Sequence, residues 1–254
     1  MKPIGHRHNA QGATLIELMV ALGILALITA GIFSQLNAAT QRIATEQTKV
    51  DNFDEARDFV DQFFRDINQI GYPDGHVVTS LLPAAGINPI NDPRIAVGLV
   101  KIDANSIWFE GDINGSGVVQ EVQYQINGST SCALCLQRSA VPKVLGDPES
   151  LANSTGIWGT EVNDLTNTAA TPIFTYFKAD GTQIPAGSLP ADIDTLAGQQ
   201  ILAQVKTIHI SLTIQDPLKV DPKTGQPIQT SFEGEVSLNN CSMAAAGFPP
   251  MSCF

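Results

Sequence analysis

The chain has 254 residues, a formal net charge of -11 and 43% hydrophobic residues. That length holds one long apolar helix plus one globular domain able to bury a core. The acidic balance, with no Lys/Arg cluster to offset it, excludes nucleic-acid binding driven by overall charge.

Residues 1–12, "MKPIGHRHNAQG", are polar and basic. They hold two formal positive charges, Lys2 and Arg7, so -11 less these two leaves -13 for the rest of the chain. An apolar run of about 20 residues follows, enough for a helix to cross a hydrocarbon core of roughly 30 Å. Lys2 and Arg7 then hold the N-terminus in the cytoplasm and place everything after the span outside it. Glu17 sits inside this run, where an ionisable side chain is costly. A secretory signal peptide has a shorter apolar stretch and no such glutamate, while a plain signal-anchor stays open. A local reading also exists: Thr14-Leu15-Ile16-Glu17 fits the T-x-x-E capping box, with the carboxylate favoured by the helix dipole.

The stretch Gly12-Ala13-Thr14-Leu15-Ile16-Glu17-Leu18-Met19-Val20 resembles the type IV prepilin signature. The resemblance implies that prepilin peptidase cuts between Gly12 and Ala13, and that Ala13 becomes an N-methylated amino terminus. Ala13 departs from the phenylalanine most often found there. Glu17, the fifth mature residue, would meet the amino terminus of a neighbouring subunit during assembly, pairing a buried anion with a buried cation.

Beyond the span, Ile43, Val50, Phe53, Val60, Phe63, Ile67 and Ile70 recur at spacings of three, four or seven, which predicts an amphipathic helix. Arg42, Glu46, Lys49, Asp54, Arg57, Asp61 and Arg65 form its solvated face, with Asp61 and Arg65 at i,i+4. "IGYPDG" at 70–75 ends the helix, Gly71 as C-cap and Pro73 just beyond. Counted from Thr14, the helix has about 57 residues, or about 85 Å if straight. The predicted organisation is a leader at 1–12, a membrane and assembly half at 13–36, an amphipathic half at 37–71 and a β-rich domain at 72–254.

From residue 76 onward, short β-like runs are divided by Gly, Pro, Asn and Asp. The expected strands are 94–102, 106–111, 118–126, 172–179, 204–215 and 228–238. In 204–215, Lys206, Ile208, Ile210, Leu212 and Ile214 share one face, and His209 lies on the other, toward solvent. Residues 127–171, rich in Gly, Ser, Asn and Thr, read as an extended loop region with small helices or strands. The fold class is α+β: a long N-terminal helix, membrane-spanning in its first half, packed on an antiparallel sheet domain.

"IWFEGDINGSGVVQEVQYQI", "PIFTYFKADGTQIP" and "GEVSLNN" resemble the PilW-type minor pilins and the related J-type pseudopilins of type II secretion. That family's frequent arginine near the closing strand is replaced here by Asn239 or Asn240.

Little catalytic material is present. "DINGSG" puts Asp112, Asn114 and Ser116 at calcium-loop positions, but the closing bidentate glutamate is missing and a hairpin turn explains the same residues. "KTG" at 223–225 lacks the companion motifs of a β-lactamase. There is no G-x-S-x-G, P-loop or H-E-x-x-H, and after the leader only His76 and His209 remain. The expectation is a protein that is not an enzyme and holds no cofactor.

Four cysteines behind an export-type start predict disulfides. One C-x-x-C pair with no nearby histidine argues against zinc, and a thioredoxin-type role lacks its strand-then-helix setting. On a regular strand Cys132 and Cys135 would stand about 10 Å apart, so they pair only across a turn; otherwise each reaches Cys241 or Cys253. The pilin resemblance favours Cys241 with Cys253, closing a C-terminal loop, and Cys132 with Cys135.

Taken together, the resemblances imply a type IV pilus minor pilin near the tip, with a type II secretion pseudopilin as the alternative. An anchored enzyme or ligand-binding domain is a more distant one. The implied partners are other pilins through the helix, prepilin peptidase, an inner-membrane assembly platform and membrane lipid. The implied location is the bacterial inner membrane, then a pilus or a periplasmic pseudopilus.

Overall fold

A computed structural model describes residues 14–72, 88–129, 132–168, 170–222 and 224–238. Helix α1 (Leu15–Asn68) runs unbroken for 54 residues. The chain divides into two compact units, 1–47 and 48–254, each described by itself.

In the first unit, every large apolar side chain from Leu15 to Leu36 is between 54% and 77% exposed. This stretch is long and apolar enough to cross a membrane. Its threonine hydroxyl is satisfied within the helix, Thr29 Oγ1 donating to the Leu25 carbonyl at 2.7 Å.

The second unit begins at Thr48. Here Ala56, Phe59, Val60, Phe63 and Ile67 are at most 3% exposed, whereas Val50 and Phe53 are 51% and 42% exposed. The buried stripe is thus narrower than the sequence spacing suggested. At 100° per residue Val50 lies roughly 140° around the helix from Phe63, because each three-residue step between them falls about 60° short of a turn. The expected Asp61–Arg65 pair is replaced: Arg65 donates to Gln62 Oε1 at 2.8 Å, and Asp61 instead lies 3.9 Å from Arg57.

Gly71, with φ of 72°, stops the helix. Its N–H donates to the Glu110 carbonyl at 2.9 Å, and Asp112 N–H donates to the Tyr72 carbonyl at 2.8 Å.

The elements that follow are β1 (Leu99–Ile102), β2 (Ser106–Gly111), β3 (Gln120–Ser129), β4 (Cys132–Pro142), α2 (Leu151–Ser154), β5 (Gly159–Val162), β6 (Phe174–Phe177), β7 (Ala191–Asp192), α3 (Leu196–Leu202), β8 (Thr207–Val220) and β9 (Pro227–Ser237). They form a six-stranded sheet, β5-β4-β3-β2-β1-β7, and a three-stranded sheet, β6-β8-β9, in which every pairing is antiparallel. The architecture is α+β and pilin-like. Phe63 joins α1 to both sheets: its ring centroid is 5.2 Å from that of Tyr124 on β3 and 5.6 Å from that of Phe174 on β6.

One departure from the sequence reading stands out. Residues 127–171 are not chiefly loop, since β4 and β5 extend the larger sheet there. The face of that sheet carrying Glu121, Gln123 and Ser139 is polar yet buried. Gly156 lies against it so closely that a Cβ would fall 1.7 Å from Ser139 Oγ. In β8, by contrast, Ile208, Ile210, Leu212 and Ile214 are all buried on one face, as the alternation predicts.

Candidate functional site

The N-terminus of α1 is the first place where sequence and geometry meet. Thr14 N–H donates to Glu17 Oε2 at 2.8 Å, Thr14 Oγ1 donates to the same oxygen at 3.1 Å, and Glu17 N–H donates to Thr14 Oγ1 at 3.3 Å. These bonds make a reciprocal capping box that satisfies amides with no partner inside the helix. Glu17 is also the sole formal charge between residues 15 and 36. Its carboxylate, which caps the helix, lies at the start of an otherwise apolar, exposed stretch. Gly12 and Ala13 lie outside the described residues.

The loop of "DINGSG" joins β2 to β3. Asp112 Oδ1 accepts from Ser116 N–H at 3.0 Å and Oδ2 from Gly117 N–H at 2.7 Å, while Asn114 Oδ1 accepts from Ser116 N–H at 3.0 Å. The side chains expected as ligands are therefore engaged by the loop's own amides, as in Asx-turns. Among the described residues, no group of three or more His, Cys, Asp or Glu could hold a metal ion.

Cys135 is fully buried and disulfide-bonded, and "CALC" opens strand β4. The Cys132 side chain, Cys241 and Cys253 lie outside what is described, as do His76, Asn239 and Asn240. His209 sits half-buried on β8 opposite Glu235.

Two buried polar networks were not read from the sequence. In one, Asp66 on α1 accepts from Gln62 Nε2 (2.7 Å), the Tyr124 hydroxyl (2.7 Å) and Arg138 Nε (2.8 Å). Burial, together with the Asp66 carboxylate, pushes the Tyr124 hydroxyl far above its usual range, so it remains a donor. Asp66 lies at the edge of the apolar stripe, one residue before Ile67, and that position was the available signal.

In the other network, Glu110 on β2 faces Glu121 on β3 in direct register. Both are fully buried. Lys143 donates to Glu110 Oε2 at 2.7 Å and to the carbonyls of Ile90 and Ile95 at 2.8 and 3.0 Å. Trp108 Nε1 donates to Glu121 Oε2 at 2.5 Å. The two glutamates flank the "DINGSG" turn, so the hairpin itself implied that they would meet.

Residues 7–33 match the prokaryotic N-terminal methylation motif. In this segment the chain is similar to type IV pilin-like prepilins. The matched residues take in Arg7, Gly12, Ala13 and Glu17, and end at Phe33 within the exposed apolar part of α1. No curated protein and no solved structure matches the chain. The likeness to prepilins thus rests on the N-terminal motif, with a long-helix, antiparallel-sheet architecture behind it.

Proposed function

We propose that this prepilin-like chain is a minor pilin of a type IV pilus, with a structural and not a catalytic role. Prepilin peptidase cuts after Gly12 on the cytoplasmic side, and Ala13 becomes the N-methylated terminus. The first part of α1 holds the subunit in the inner membrane until an assembly platform draws it into a filament near the tip. The observation that carries this reading is the methylation motif over residues 7–33 running into a helix that exposes every large apolar side chain from Leu15 to Leu36 and carries a single charge, Glu17. Such a surface needs an apolar medium, first lipid and then the helices of neighbouring subunits. Within that medium Glu17 needs a cation, and the amino terminus of a neighbour's Ala13 supplies one. Head-to-tail contacts of this kind do not close and so generate a helical filament.

Glu17→Ala tests the assembly role. Export and leader cleavage should persist while incorporation into pili is lost, and normal pili in that variant would sink the proposal. Mass spectrometry of the mature protein should find methylated Ala13 first; an uncut chain, or one cut well beyond residue 30, contradicts prepilin processing. A strain that keeps its pili but loses protein secretion would point to the type II pseudopilin instead.

A further inference from the structure

We propose that folding of the globular unit takes up one proton from solvent, held between Glu121 and Glu110, so that the fold becomes more stable as the medium acidifies across the neutral range. The inference does not depend on the assembly role.

The geometry sets the charge count. Glu110 and Glu121 face each other across β2 and β3, fully buried, and the ammonium paired with Glu110 is that of Lys143. Two ionised carboxylates and one ammonium would leave a net negative charge with no water to solvate it, which costs several kcal/mol. The donor count agrees. Glu110 Oε2 receives Lys143 Nζ and Val97 N–H, and Glu121 Oε2 receives Trp108 Nε1. Glu110 Oε1 and Glu121 Oε1 are buried and receive no N–H or hydroxyl among the described residues. One carboxylic proton placed between the two carboxyl groups removes the excess charge and joins both orphan oxygens. Glu121 is the better site for it, because Lys143 donates to Glu110.

Among the described residues, the cation that acts on Glu121 is Lys143. The carbonyls of Ile90 and Ile95 occupy the remaining hydrogens of Lys143. The next charged groups along that segment, Asp92 and Arg94, are paired with each other at 2.6 Å. Burial, then the charge of Glu110, pushes the Glu121 carboxyl up to about 10 from an ordinary 4.5, with Lys143 and the Trp108 indole opposing.

The sign follows from linkage. Between those two values the folded unit binds one more proton than the unfolded chain, so each unit of rising pH lowers the folding constant by up to tenfold. Below the lower value both states are protonated and this dependence vanishes. Asp92 acts in the opposite direction: the hydrogen bond from Arg94 holds its carboxyl below the ordinary 3.8, so its contribution is lost only in stronger acid.

The test is urea unfolding of the full chain in detergent micelles from pH 5 to pH 9, with Glu121→Gln beside the natural protein. Glutamine keeps an acceptor for Trp108 and a donor for Glu110 but cannot titrate. The ratio of the two folding constants, natural over variant, should fall about tenfold per pH unit. A ratio independent of pH overturns the proposal. If Glu121→Gln does not fold, infrared spectroscopy of the natural protein decides: a protonated carboxylic C=O band persisting at pH 8 supports the shared proton, and its absence rules it out.

Discussion

The two ends of α1 share one backbone geometry and follow opposite rules of contact. From Leu15 to Leu36 every large apolar side chain faces outward and one charge, Glu17, interrupts them. From Thr48 to Asn68 Phe59, Phe63 and Ile67 turn inward, while Arg57 and Asp61 remain 65% and 58% exposed on the outside. Leu25 and Phe63 are both large and apolar, yet only Phe63 removes its surface from water in the subunit alone. Apolar composition therefore says that a surface wants covering, and the fold decides which part of that covering the subunit supplies itself.

Substitutions in the two ends should separate accordingly. Phe63→Ala should destabilise the globular unit by about 3–5 kcal/mol, because Phe63 contacts the rings of Phe59, Tyr124 and Phe174 at full burial. Leu25→Ala should leave the same urea midpoint unchanged. Equal effects of the two would erase the contrast. Asp66→Ala should cost about 3 kcal/mol in the same assay, since it strands the Arg138 guanidinium, 20% exposed, and the Tyr124 hydroxyl together. Tyr124→Phe, which removes one of the three donors to Asp66, should cost about 1 kcal/mol. Arg57→Ala should change stability by less than about 0.5 kcal/mol, because its contact with Asp61 is long and exposed. A large effect there would mean that the outer face of α1 does more within the subunit than meet water.

The sequence was most legible where one physical rule acted alone. Thr14 and Glu17 announced their own capping bonds through the T-x-x-E spacing. "SIWFEG" coincides with β2, and the other five expected runs each overlap a strand, with at least one end shifted. Legibility failed where burial and polarity coincided. β4 reads as loop because Arg138 and Ser139 interrupt its apolar positions, and tertiary context covers both: Asp66 pairs Arg138, and Gly156 closes over Ser139. Helix α3 was missed because it is 7 residues long, with its Thr195 cap as the main local signal. For the site, Gly12, Ala13 and Glu17 were singled out from the prepilin-like pattern, and the matched motif over residues 7–33 takes in all three. The Glu110–Glu121–Lys143 group was not, since Lys143 enters from 33 positions away.

The join between α1 and β2 has a mechanical meaning. Ile70 bridges Gly111, Gly71 bonds to Glu110, and Asp112 bonds to Tyr72, so the chain leaving the helix is laced directly to the end of an inner strand. At Gly111 a Cβ would fall 2.3 Å from the Gln69 carbonyl oxygen, which is why the two backbones can touch there. A tug on the last turn of α1 is therefore passed to β2 through the main chain, and from there to β1 and β3 on either side. Force leaves the helix spread across a ladder of parallel loads instead of arriving at a single loop.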